Sequence, residues 1–185
     1  MPTPSTFRRS VGQAGALALL AALALAPSAF AQSGGIGLPG SNSATVKGAE
    51  AKLRDGRAIP PESAPAKVKR AIRAANEIAK GHPYCYGGGH ARWRSGCYDC
   101  SGSVSYALGK YGARILDSPL PSSSFTHWAK RGKGNWITVY AYSGHAYAVI
   151  AGLRFDTSMT PGQGPGWSEE MRSSAGFEKR HRGRL

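Results

Sequence analysis

Hydrophobic spacing changes period once along this chain, and the change limits the folds open to it. Val68, Ile72, Ala75 and Ile78 recur at helical spacing, with Lys67, Lys69, Arg70 and Arg73 pointing elsewhere, which predicts an amphipathic helix with a basic outer face. Ser63 is placed to cap it, Pro65 falls in its first turn and Gly81 ends it. A second helix is predicted from Cys100, with Val104, Leu108 and Tyr111 on one face and Gly112 closing it. From Trp136 the pattern turns strand-like, over 136–140, 145–151 and 153–157, with Gly144 and Gly152 as the breaks and a last short strand over 177–181. Residues 83–96, 116–124 and 159–167 read as loops, and 49–63 as a short helix followed by an extended Ile59-Pro60-Pro61 segment. Helices first and strands afterwards predict an α+β fold, N-terminal helices packed on a small antiparallel sheet.

The N-terminus reads as an address. Arg8 and Arg9 precede an uncharged Ala/Leu-rich stretch over 14–26, and Ala29-Phe30-Ala31 supplies a small-x-small cleavage pattern. The stretch falls short of the ~20 apolar residues that span a bilayer, so no stable membrane span is expected. Residues 1–31 are therefore expected as a signal peptide, 32–62 as a flexible leader and 63–185 as one domain. Removing 31 of the 185 residues leaves 154, and losing two arginines takes the net charge from +14 to +12. Such a charge favours an anionic partner. Export makes the anionic cell envelope a more natural partner than nucleic acid, and basic residues also simply solvate surfaces. The expected location is secreted, periplasmic or otherwise in the envelope, and the expected state is a monomer.

Three cysteines fall within sixteen positions: Cys85, Cys97 and Cys100. An odd count in an exported chain leaves one thiol to explain. Cys100 opens a predicted helix, where the unpaired N–H groups and the positive end of the dipole favour the thiolate, the nucleophilic form. Among the five histidines, His145 begins a strand-like run after Gly144, and Asp156 lies in the next one. If those strands form a hairpin, the carboxylate comes close to the imidazole and supports its positive charge.

Tyr84 with Gly87-Gly88, then Asp99-Cys100-Ser101-Gly102, then Gly144-His145 before an apolar strand, together resemble the NlpC-type family of papain-like cell-wall cysteine peptidases. The resemblance runs from about Ser63 to Thr157. It implies a papain-like domain with Cys100 as nucleophile and His145 as general base, with no cofactor. The family's third polar residue is often a second histidine, and here Asp156 takes that place. Tyr84 and Ser101 are the implied oxyanion or substrate contacts, beside the Cys100 N–H. The implied reaction is hydrolysis of a peptide bond in peptidoglycan stems, through an acyl-enzyme. Two departures stand out: Gly132-Lys133-Gly134-Asn135 replaces the family's Pro-Gly-Asp segment, and Cys85 and Cys97 lie outside its pattern. Export and the odd count also suggest a disulfide between Cys85 and Cys97, with Cys100 free.

Other readings of the same residues stay open. Cys85, His90, Cys97 and Cys100 have spacings a small zinc module uses, and with the basic charge this would make a nucleic-acid-binding module. Cys97-Tyr98-Asp99-Cys100 is a C-x-x-C, without the alternating strands and helices of a redox domain around it. The fold could also serve wall binding without catalysis, or acyl transfer. Trp93 and Trp167 either line a substrate groove or pack. His82, His90, His127 and His181 read as structural or surface residues, His90 drawing notice because it follows the glycine run.

Overall fold

The computed structural model describes residues 44–159 and 163–185. The expected signal peptide and the first part of the expected leader lie outside the described residues. No described helix is long and apolar enough to cross a membrane.

The later part of that leader is folded. β1 (Lys52–Arg54) and β2 (Arg57–Ile59) form an antiparallel hairpin in place of the expected short helix. Asp55 and Gly56 make the turn with φ of 51° and 73°, the doubly left-handed pair that suits the twist of a tight hairpin. The hairpin is tied down through Asn76, whose Oδ1 accepts from Ala58 N at 2.9 Å and whose Nδ2 donates to Ala58 O at 2.8 Å. Ala58 is wholly buried. Residues 46–62 therefore belong to the body and not to a leader.

α1 (Ala66–Ile78) buries Val68, Ala71, Ile72, Ala74, Ala75 and Ile78, the predicted stripe with alanines filling it out. Its N-cap position is Pro65, with no side-chain cap, while Ser63 Oγ donates to Gly48 O instead. Beyond Ala79, Lys80 and Gly81 take positive φ and turn the chain away. α2 (Cys100–Leu108) is buried along its whole length. It ends at Gly109 rather than Gly112, the backbone leaving helical geometry there at a position where any side chain would collide with the Trp93 ring; Tyr111 thus lies beyond the helix and is half-exposed. α3 (Ser122–Phe125) is a single turn that overlaps the end of the expected 116–124 loop, with Phe125 buried just beyond it.

The remaining strands are β3 (Lys130–Arg131), β4 (Ile137–Tyr142), β5 (His145–Ile150), β6 (Leu153–Asp156), β7 (Gly166–Ser168) and β8 (Glu178–His181). They form one six-stranded antiparallel sheet in the order β3-β8-β4-β5-β6-β7. Side chains alternate across it. Val139, Ala141, Ala146, Ala148, Ile150, Leu153 and Phe155 join α1 and α2 in the hydrophobic core. The opposite parity carries Tyr140, His145, Tyr147, Arg154 and Asp156, with Tyr140 and Tyr147 stacked at 4.7 Å. The architecture is thus mixed helix and sheet, with the site residues at one end of the sheet.

Candidate active site

The start of α2 is built before its chemistry is. Asp99 holds the N-cap in extended backbone, and its Oδ1 accepts from Gly102 N at 2.6 Å, a bond typically worth about 1 kcal/mol. The same carboxylate accepts from Ser101 Oγ (3.1 Å), His90 Nε2 (3.0 Å) and Gly87 N (3.0 Å). One buried side chain therefore ties the glycine loop to the helix. His90 is a member of that network, a placement its position after the glycine run did not specify. Ser101, an expected oxyanion or substrate contact, gives its hydroxyl to Asp99, lies 3.2 Å from His90 Nε2 and is among the residues lining the cleft at Cys100.

A disulfide joins Cys85 to Cys97, with Cα atoms 5.6 Å apart, and Cys100 is the free cysteine. The bond removes two of the four ligands a zinc site would need, and it leaves Cys97 without a thiol to pair with Cys100. Both alternatives drawn from the cysteine spacing fail for that reason. Within the loop the backbone is dense: Gly88 N donates to Cys85 O and Asp99 N to Gly88 O. A Cβ at Gly88 would lie 2.6 Å from both Cys85 Sγ and Cys97 O, and one at Gly102 would fall on Gly88 O. Both positions need glycine because two backbones meet there.

Cys100 is 7 % exposed, and its Sγ lies 3.5 Å from Ser122 Oγ on α3. His145 opens β5 beside it. His145 Nε2 lies 2.9 Å from Asp156 Oδ1, with side-chain exposures of 14 % and 0 %. Ser158 donates to Asp156 from both N and Oγ, at 3.1 and 2.8 Å. Arg172 Nη1 donates to Asp156 Oδ2 at 3.2 Å and to Ser158 Oγ at 2.8 Å. Phe177 presents an edge to His145, 6.3 Å between centroids. Ser122, Ser158 and Arg172 carried no signal in the sequence, each arriving from a segment without periodicity, whereas Phe177 opens the expected last strand.

These contacts set the protonation states. Burial alone would raise the Cys100 thiol, but interaction with His145, the Ser122 hydroxyl and the Ala146 backbone N–H reverses this and lowers it from 9.0. Burial would lower His145, yet Asp156 and Cys100 raise it from 6.5 to about 9. Burial would raise Asp156, yet His145 and Ser158 hold it at about 2. The contacts thus favour a carboxylate on Asp156, a proton on His145 and a shift of Cys100 toward its thiolate.

The thiol opens on a cleft of ≈ 280 Å³ lined by Tyr84, Tyr86, His90, Asp99, Ser122 and Gly144, among others. Tyr84 is 41 % exposed. Its partial burial, then the negative charges of Cys100 and Asp99, raise its phenol, which stays protonated and able to donate. Among the described residues no acceptor is paired with the Cys100 N–H, whereas Gly102 N and Ser103 N are bonded to Asp99. The two tryptophans do not line this cleft. Trp167 is buried, with Nε1 donating to Asn76 Oδ1 at 2.9 Å, and Trp93 packs against the core. His82 lies edge-on to Tyr98.

No family model and no curated protein matches the chain. Among solved structures, it is similar to the P60 domain of an antigen of M. avium subspecies paratuberculosis. The TM-score is 0.44 and the identity 15%, over 62% of this chain and 93% of that one. At those values the likeness carries no weight for the chemistry, which follows from the side chains alone.

Proposed function

We propose that the protein is a cysteine peptidase of papain-like type, with Cys100 as nucleophile, His145 as general base and acid, and Asp156 as the carboxylate that orients the imidazole. The observation that carries this is the His145–Asp156 hydrogen bond at 2.9 Å beside a free cysteine whose pKa is lowered at the start of a helix. A structural cysteine buried among apolar groups would have its thiol raised instead.

In this reading the thiolate attacks a carbonyl carbon and the oxyanion meets the free Cys100 N–H and the Tyr84 hydroxyl. The imidazolium protonates the leaving amine, and the acyl group stays on Sγ. The neutral imidazole then takes a proton from water, the hydroxide displaces Sγ, and the thiolate–imidazolium pair is restored. No metal or cofactor enters the cycle.

The substrate proposed is the peptide stem of peptidoglycan, on the strength of the Tyr-x-x-Gly-Gly, Asp-Cys-Ser-Gly and Gly-His resemblance. The free carboxylates of such stems suit a chain of net charge +14, and activity should fall as salt screens that attraction. Mass spectrometry of purified muropeptides incubated with the protein, beside Cys100→Ala, tests the proposal. Cleavage by the native chain alone supports it and identifies the bond. Transfer to an added amine without hydrolysis would redirect it to acyl transfer, and no product across several stem chemistries would overturn it.

A further inference from the structure

The connection between β7 and β8, residues 169–177, crosses the sheet face that carries His145 and Asp156, and Arg172 is what fastens it there. Its guanidinium bonds Asp156 Oδ2 at 3.2 Å and Ser158 Oγ at 2.8 Å. The same group lies over the Tyr147 ring at 5.5 Å and the Phe177 ring at 5.2 Å. Phe177 in turn stands edge-on to both Tyr147 and His145. One side chain thus touches the carboxylate, the hydroxyl that also holds it, and the two rings that bound the imidazole.

Asp156 is wholly buried, so its ionised form must be matched by donors. The titratable and charged groups around the pair are Cys100 from α2, Tyr140 and Tyr142 from β4, Tyr147 from β5, Arg154 from β6 and Arg172 from the connection. Among these, two carry a permanent positive charge. Arg154 Nε stands 4.0 Å from Asp156 Oδ2 and makes no hydrogen bond there, whereas Arg172 does. The carboxylate therefore offers Oδ1 to the imidazole and has Oδ2 engaged by Arg172 and Ser158.

From this arrangement we infer that Arg172 is the positioning residue of the His145–Asp156 pair. It holds the carboxylate ionised and aimed at His145, and it pins the 169–177 connection so that Phe177 stays against the ring. The inference rests on the thiolate–imidazolium reading given above. It adds that the pair is incomplete without the two side chains, Arg172 and Phe177, that the 169–177 connection brings to it.

The test measures the pH dependence of Cys100 alkylation by iodoacetamide, which reports the thiolate whether or not the right substrate is in hand. Native protein, Arg172→Gln and Arg172→Lys are compared, with thermal melting to establish folding. The expectation is a native profile with reactive thiolate well below the ordinary thiol range. In Arg172→Gln the acid limb should move up by about one pH unit, so the rate near pH 6 drops about tenfold while the rate near pH 9 is kept. Arg172→Lys, which keeps the charge and loses the fork, should fall between the two. It also replaces Arg172→Gln as the informative variant should that one unfold, and direct NMR titration of the His145 ring then gives the same answer. An unmoved or downward-moved limb in a folded variant overturns the role of Arg172. An ordinary thiol profile in the native protein would instead overturn the ion-pair reading itself.

Discussion

Nε2 of His145 lies 2.9 Å from Oδ1 of Asp156, although the two stand eleven positions apart and the carboxylate has no exposed side-chain surface. The tight turn at Ala151-Gly152, with φ of 47° and 87°, fixes the β5–β6 register at Ile150↔Leu153. Continued to the open end, that register sets His145 and Asp156 on one face, a diagonal step apart. The pairing of these two side chains is a consequence of hairpin geometry, and the chemistry proposed for Cys100 depends on it.

Replacing Asp156 by Asn should uncouple that chain. The imidazole loses the anion that raises it, and the thiol loses the imidazolium that lowers it. Turnover on any substrate of the native protein should fall by about 10²–10⁴-fold, with the acid limb of the rate moving to higher pH. The pH profile of kcat/KM for Asp156→Asn against native protein checks both effects.

The same pair should shape stability against pH. Asp156, held at about 2 against 3.8, contributes stability that is fully present above 3.8 and lost as pH falls through about 2. His145, raised to about 9 from 6.5, contributes stability present below 6.5 and lost as pH rises through about 9. These describe one interaction seen from two sides, of about 2 kcal/mol. Urea unfolding across pH should give a maximum between about 4 and 6.5, and Asp156→Asn should flatten it.

Gly102→Ala should damage both fold and site. The added methyl falls on the Gly88 carbonyl, backbone that cannot swing aside, and overpacking of this kind costs about 1–3 kcal/mol. The Asp99 N-cap would open with it. A lower urea midpoint together with slower Cys100 alkylation is the expected result, and native values for both would contradict the close-contact argument.

Alkylation of the native, unreduced protein should modify one cysteine, Cys100. Reduction, or the double change Cys85→Ser with Cys97→Ser, should cost about 3 kcal/mol for a loop closed across 12 positions. Intact-mass analysis and paired urea melts with and without reductant measure this; two or three modified cysteines before reduction would contradict the disulfide.

By itself the sequence determined the helix stripe of α1, the start of α2 at an Asp-Cys-Ser-Gly turn, the run of strands from Ile137 to Asp156, and the three residues whose combination suggested a thiol site. Those features are local. Periodicity, cap residues and glycine breaks act through neighbours a few positions apart, so they are written in the order of the residues. The hairpin at Asp55-Gly56 is also local, but its strands are only three residues long, too short for a period to show. Tertiary structure alone decided the rest. Ser101 gave its hydroxyl to Asp99, which collects donors from the glycine loop and the helix start, and Trp167 was committed to Asn76 across 91 positions. Ser122, Ser158 and Arg172 reached the site from segments with no pattern to read. A buried charge must be matched by whichever donors the packing delivers, and the packing is set by the whole core at once.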